Sequence, residues 1–295
     1  MTCHAPLQGY RSASSKGITF NLKEGYRDFP MSVPCGQCLG CRIDKSRQWA
    51  LRCVHEASLH ELSCFVTLTY DDQHLPPGGT LVKRDLQLFI KKLRRFHEYH
   101  NTLPDGTKPA PIRFYACGEY GEGLERPHYH VLFFGLQFGD ARKHSLSKSG
   151  LEQLVSDRLD AIWGRGHCYI GKVSFQSAAY CARYVIKKVT GDRASAHYEG
   201  RIPEFSTMST KPGIGSGWFD KYKSDAFPSD FLVHQGKRIP VPKFYTDKLS
   251  DKELKPIKRR RKQYALDKAH DNTPQRLAVR AEVLEAKYKR LKREL

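Results

Sequence analysis

The chain reads as an α+β protein of the split-βαβ type, a largely antiparallel sheet with helices packed on one face and extensions at both ends. Three observations predict this. Stretches rich in β-branched and aromatic residues alternate with amphipathic stretches in the order strand, helix, strand, strand, helix, strand, helix. The two successive strands in the middle are joined only by YGEGLER, which makes them an antiparallel hairpin. The 295 residues, 39% hydrophobic and 11% aromatic, suffice for one core domain with extensions.

Residues 1–34 carry scattered Gly, Ser and Pro and are expected to be irregular. CGQCLGC follows, and then RIDKSRQWALRCVHEASLH, a basic stretch of helical character. CFVTLTY (64–70) is β-branched and aromatic and predicts a strand, closed by the Pro- and Gly-containing loop DDQHLPPGG. Over residues 80–99, Leu86, Phe89, Ile90, Leu93 and Phe96 form an apolar stripe, while Lys91, Lys92, Arg94 and Arg95 face elsewhere, which predicts a helix. IRFYACGE (112–119) and RPHYHVLFF (126–134) are the hairpin strands. Residues 151–163 predict a helix, 167–175 a strand, and SAAYCARYVIKKV a helix stopped by Gly191.

The expected organisation is a Cys-rich basic segment (1–61), a core (62–190), an extension packed on the core (191–250) and a basic helical tail (251–295). The tail has a surplus of eight positive charges. In it Leu277, Ala281, Leu284, Tyr288, Leu291 and Leu295 step by four and three, a seam too short to be stable alone. KRRRK (258–262) is a solvated run or a DNA-backbone contact.

Fifty Lys and Arg against 31 acidic residues give a formal charge of +19, which implies a polyanionic partner, nucleic acid before an anionic membrane. No apolar run approaches a membrane span and the first residues lack the apolar core of a secretory signal, so a cytoplasmic location is expected. Nine cysteines, an odd number, argue against a disulfide framework.

Alternation places His128, His130, Leu132 and Phe134 on one strand face and Tyr129, Val131 and Phe133 on the other. Two imidazoles side by side are either a solvated pair or ligands, and Glu119 ends the partner strand nine residues before His128. Two histidines and a carboxylate suit Mg²⁺ or Mn²⁺ with positions left open. On the last helix, at about 100° per residue, Tyr180, Tyr184 and Lys187 share one side, opposite Ala178, Ala182, Val185 and Val189. A phenol with a pKa of about 10 is a poor nucleophile and needs an activated electrophile, which a divalent ion on a phosphodiester provides.

FVTLTY, GEYG…RPHYHVLFFG and YCARYVIKK resemble, in order, the three motifs of the HUH endonuclease superfamily. With PCGQCLGCRIDKSRQWALR and EFSTMSTKPGIGSGWF, residues 33–245 resemble the replication initiators of microviruses, gokushovirus branch. The resemblance implies an HUH-type core and nicking of a phage origin through a 5′-phosphotyrosyl link with a free 3′-OH for rolling-circle replication, then religation of the displaced strand. It implies His128, His130 and Glu119 as metal ligands, Tyr180 and Tyr184 as paired nucleophiles, and Lys187 as their companion. Single-stranded origin DNA and the supercoiled replicative form are the implied substrates, in the host bacterial cytoplasm. Without a G-x-x-x-x-G-K-[ST] loop in the chain, a host polymerase and helicase supply elongation. The alternatives are a non-catalytic basic DNA-binding protein and a plasmid-type initiator or transposase.

Cys35, Cys38 and Cys41 in CGQCLGC are either zinc ligands, with Cys53, His55 or Cys64 as fourth, or free thiols. Cys3, Cys117, Cys168 and Cys181 are read as packing residues.

Overall fold

The computed structural model describes residues 3–15, 17–121, 123–147, 150–183 and 188–290. In chain order the elements are β1 (Leu7–Ser12), β2 (Ile18–Thr19), β3 (Gly25–Val33), α1 (Leu39–Ala57), β4 (Ser63–Thr69), α2 (Lys83–Asn101), β5 (Arg113–Tyr120), β6 (Pro127–Phe134), β7 (Arg142–Leu146) and β8 (Glu152–Val155). There follow α3 (Asp157–Trp163), β9 (Cys168–Gly171), α4 (Phe175–Ala182), α5 (Arg193–Tyr198), β10 (Phe205–Met208), α6 (Ser216–Ala226), β11 (Phe231–His234), β12 (Lys237–Pro240), α7 (Lys243–Thr246), α8 (Asp251–Asp267) and α9 (Pro274–Arg290). They fall into two compact units, one of Met1–Lys45 with Leu249–Arg293 and one of Ser46–Lys248.

The larger unit is built on a seven-stranded sheet in the order β10-β5-β6-β4-β9-β8-β7, antiparallel at each pairing. β4 and β5, joined by α2, lie on either side of β6, which is the split βαβ arrangement. β6 pairs with β5 through Glu119↔His128 and Cys117↔His130, and with β4 through Thr67↔His130. One sheet face carries Val66, Leu68, Ala116, Tyr129, Val131 and Phe133 and is covered by Leu86, Phe89, Ile90 and Leu93 of α2 and Leu159, Ile162 and Trp163 of α3. The other carries Tyr115, Cys117, Leu132 and Phe134 against Ala50 and Cys53 of α1 and Ala178 and Cys181 of α4. Helices therefore cover both faces rather than one. RPHYHVLFF is apolar on both parities beyond its histidines, and a strand of that composition needs cover on each side.

Other differences have local causes. Residues 151–163 form a strand and then a helix, because Ser156 Oγ accepts the Leu159 N–H at 3.0 Å and starts α3 there, while Glu152–Val155 pair with β7. β9 is shorter than expected because Ser174 and Ser177 form a capping box that begins α4 at Phe175. β10 lies in a stretch read as loop. It extends the sheet beyond β5 and sets Phe205 over Gly118, where a Cβ would stand 2.9 Å from the ring.

In the smaller unit, residues 1–34 are not irregular: they hold the antiparallel sheet β2-β1-β3. Of its longest strand, β3, no residue is buried. α8 and α9 are highly exposed basic helices, with Ile257 and Leu277 as their buried side chains.

Two features of the larger unit make the fold testable. Tyr129 is fully buried, and its hydroxyl donates to Val82 O at 3.0 Å while accepting from Val82 N–H at 2.9 Å. Tyr129→Phe strands both backbone groups and is expected to lower stability by about 1–3 kcal/mol in urea titration. On α1, His55 stacks on Trp218 with ring centroids 3.6 Å apart and contacts Tyr245 Oη at 2.9 Å; burial, then the charge of His234, pushes its pKa down to about 3. The folded chain thus keeps His55 neutral where the unfolded chain, titrating near about 6.5, takes up a proton. Stability from this group is full above about pH 6.5 and is lost as pH falls toward 3, at up to about 1.4 kcal/mol per pH unit. Thermal melts of His55→Phe are expected to show a flatter pH dependence across that range.

Candidate active site

Antiparallel pairing sends opposed residues to the same side, so Glu119 and His128 project together beside His130. One carboxylate oxygen, Glu119 Oε1, lies 3.2 Å from His128 Nε2 and 3.2 Å from His130 Nε2. Glu119 is 1% exposed and the His130 and His128 side chains 8% and 17%, so the site opens on the His128 side.

The far nitrogens of the two rings fix their orientation. His128 Nδ1 is 3.1 Å from Arg126 O, which can only accept, so the proton sits on Nδ1 and Nε2 offers a lone pair. His130 Nδ1 is 2.9 Å from Thr67 Oγ1, and its ring stacks on Phe65 at 5.4 Å. A lone pair aimed at a carboxylate oxygen is repulsive unless a positive charge lies between them. The 3.2 Å spacing is close to the roughly 3 Å between neighbouring ligand atoms around an ion held at about 2.1 Å. Glu119, His128 and His130 thus fit a small divalent cation, their ligand atoms all lying within 4.8 Å of one another.

α4 runs across this face. Its Ala178, Cys181 and Ala182 are fully buried, and Ser46 Oγ of α1 donates to Ala179 O at 3.3 Å. That leaves Tyr180 turned toward the carboxylate and histidines, its ring edge-on to His130 at 4.9 Å between centroids. Burial, followed by the charge of Glu119 and a hydrogen bond to it, pushes the Tyr180 phenol well above its ordinary range. The Arg183 guanidinium, 4.8 Å from the ring centre, pulls the other way.

Glu119, His128, His130 and Tyr180 are therefore brought together, whereas Tyr184 and Lys187 lie outside the described residues. Thr67, Phe65 and the Arg126 carbonyl were not singled out from the sequence, although pairing FVTLTY with RPHYHVLFF in register sets Thr67 opposite His130. Cys35, Cys38 and Cys41 converge, but on Cys3. The fourth-ligand expectations for Cys53, His55 and Cys64 are corrected: the two thiols are core residues on opposite sheet faces, and His55 belongs to the aromatic stack. Cys117, Cys168 and Cys181 are buried packing residues as read; Cys3 is not merely one.

The fold and the site define a chain with a carboxylate–dihistidine cation cradle on a split antiparallel sheet and a tyrosine beside it. Residues 63–189 match the family model of the replication-associated protein ORF2. Over its full length the chain is 30% identical to the replication-associated protein VP4 of Bdellovibrio phage phiMH2K, covering 99% of that protein. It is 32% identical to the replication-associated protein ORF2 of Spiroplasma virus 4, over 83% of this chain and 79% of that one. To the replication-associated protein ORF4 of Chlamydia phage 1 it is 29% identical over 78% of this chain and 57% of the other. No solved structure matches the chain significantly. The chain belongs to the family of microvirus-type replication-associated proteins.

Thr67→Val removes the hydrogen bond that orients His130 without touching a ligand. Mn²⁺ affinity measured by calorimetry is expected to fall about 10–100-fold, with the melting profile little changed.

Proposed function

We propose that this protein initiates rolling-circle replication of a small single-stranded DNA phage by nicking its origin with a tyrosine, and later rejoins the displaced strand. The observation that carries the reading is the convergence of Glu119, His128 and His130 on one point, with the Tyr180 ring 4.9 Å from His130. Held by those three side chains, Mg²⁺ or Mn²⁺ supplies the positive charge that polarises a DNA phosphate and orients it for in-line attack.

The chain's own groups account for the rest. Thr67 and the Arg126 carbonyl hold the imidazoles in place before DNA arrives, so that little reorganisation accompanies the reaction. Glu119 keeps the Tyr180 phenol protonated at rest, which leaves it inert until the carboxylate's charge is compensated. Tyr180 Oη then attacks phosphorus and its proton departs to solvent. The P–O3′ bond breaks, and the 3′-oxygen takes up a proton. The 5′-phosphate is left esterified to tyrosine beside a free 3′-OH. One phosphodiester is exchanged for another, so the bond energy is kept for rejoining.

Tyr184 is the second nucleophile in this scheme, able to attack while Tyr180 holds a DNA end, and Lys187 stabilises the phenolate or the crowded phosphoryl oxygens. The cleaved bond must be single-stranded, because a phenol on a helix cannot reach the phosphate of a paired strand with in-line geometry. A formal charge of +19, with KRRRK at 258–262 exposed on α8, supports binding along a phosphate backbone. Among the described residues no helix is long and apolar enough to cross a membrane. Elongation and unwinding are assigned to a host polymerase and helicase, in the host cytoplasm.

The test uses a single-stranded origin library labelled at the 5′ or the 3′ end, incubated with Mn²⁺ or EDTA and run on denaturing gels. A Mn²⁺-dependent adduct that survives SDS and carries only the fragment 3′ of the cut is expected. Tyr180→Phe combined with Tyr184→Phe is expected to reduce the adduct to background while DNA binding persists. An adduct retained in that double variant would sink the assignment, and binding without any adduct in the unaltered protein would move it to a non-catalytic DNA-binding role.

A further inference from the structure

Four cysteines outside the candidate active site converge in the smaller unit. The sulfurs of Cys3, Cys35, Cys38 and Cys41 all lie within 4.8 Å of one another. Cys3 Sγ is 3.6 Å from Cys35 Sγ and 3.9 Å from Cys38 Sγ, too far for disulfides, and all four thiols are free. A zinc ion with four thiolates at about 2.3 Å places neighbouring sulfurs about 3.8 Å apart, and the two measured separations bracket that value.

The backbone around the sulfurs is arranged for thiolates. Cys35 N–H donates to Cys3 Sγ at 3.3 Å, and His4 N–H donates to Cys38 Sγ at 3.4 Å. Gln37 and Cys38 N–H groups donate to Cys35 Sγ at 3.4 and 3.3 Å. Four amide donors aimed at three sulfurs favour the charged form and orient it, as the surroundings of a metal site do. The turn that delivers them passes through Gly36 at φ +74, a conformation that costs a side chain strain and glycine nothing.

The sheet attached to this cluster explains what an ion there would do. β1 and β3 pair from Leu7↔Val33, so Cys3 and Cys35 lie just beyond the same end of that ladder. β3 buries none of its nine residues, and Phe20, Tyr26 and Phe29 are exposed, so apolar burial does little to hold the strands together. A small sheet of this kind needs a cross-link. We propose that Cys3, Cys35, Cys38 and Cys41 form a structural zinc site that closes the β1–β3 arm at its base. Cys3, 32 residues upstream of CGQCLGC, completes the tetrahedron. The ion is redox-inert there and, with four protein ligands, leaves no open position for substrate.

The full-length reduced protein, purified without added metal, is analysed for zinc and iron by mass spectrometry and, after exchange into Co²⁺, by visible absorption. One zinc per chain and the intense absorption of tetrahedral Co²⁺–thiolate are expected. Both should persist in His128→Ala/His130→Ala, which separates this site from the candidate active site, and in Cys53→Ser, a buried cysteine elsewhere. Cys3→Ser is expected to lose most of the zinc and to shift or lose the cobalt bands. Removing zinc with a chelator should expose residues 6–34 to limited proteolysis, reversed on re-adding the ion, while the larger unit resists. Iron in place of zinc, no metal together with no cobalt–thiolate absorption, or an unchanged metal content and spectrum in Cys3→Ser would each overturn the proposal.

Discussion

The register between β5 and β6 is the constraint on which the candidate site depends. With Glu119 opposite His128, one carboxylate oxygen reaches both imidazoles, and Tyr129, between the histidines, points into the opposite core. A slip of one residue would carry both histidines through the sheet and bring Tyr129 out among α1 and α4. The register is held from both sides. Tyr129, Val131 and Phe133 are committed to the α2–α3 core, and Leu132 and Phe134 to the layer under α1 and α4. Hydrophobic patterning on either side of the sheet thereby sets the position of groups that do chemistry.

The polar side of the site obeys a stricter rule. Buried imidazoles must have both nitrogens accounted for, and here the outer nitrogens are taken by Thr67 and the Arg126 carbonyl. This directs both inner nitrogens at Glu119, an arrangement whose charge balance is completed only by a cation. Tyr180 inherits its surroundings from the same carboxylate, so the behaviour of the phenol and the electrostatics of the cradle are coupled.

Much of the architecture was readable from the residues because periodicity is strong where burial is strong. The α2 stripe of Leu86, Phe89, Ile90 and Leu93 and the alternation in β4, β5 and β6 gave those elements their correct kind and approximate bounds. Convergence of Glu119 with His128 and His130 followed from the hairpin alone. What escaped the reading lacked periodicity. β1–β3 bury almost nothing, so no alternation marks them, and β10 is four residues long in a Gly- and Pro-rich neighbourhood. The boundary between β8 and α3 is set by a single serine cap. Cys3 was invisible as a partner of CGQCLGC because a 32-residue excursion through an unpatterned sheet returns it there. Thr67 was missed for a related reason: its role lies in a cross-strand pairing and not in any spacing along the chain.

β6 is hydrogen-bonded along its length to strands on both sides and covered on both faces by separate apolar layers. Its amides can exchange with solvent only when the sheet itself comes apart, whereas those of the thinly buried β1–β3 sheet and of α8 and α9 need only local opening. The two histidines therefore belong to the slowest-opening part of the molecule, and fluctuations of the arm and tail can occur without loosening the imidazoles from their places.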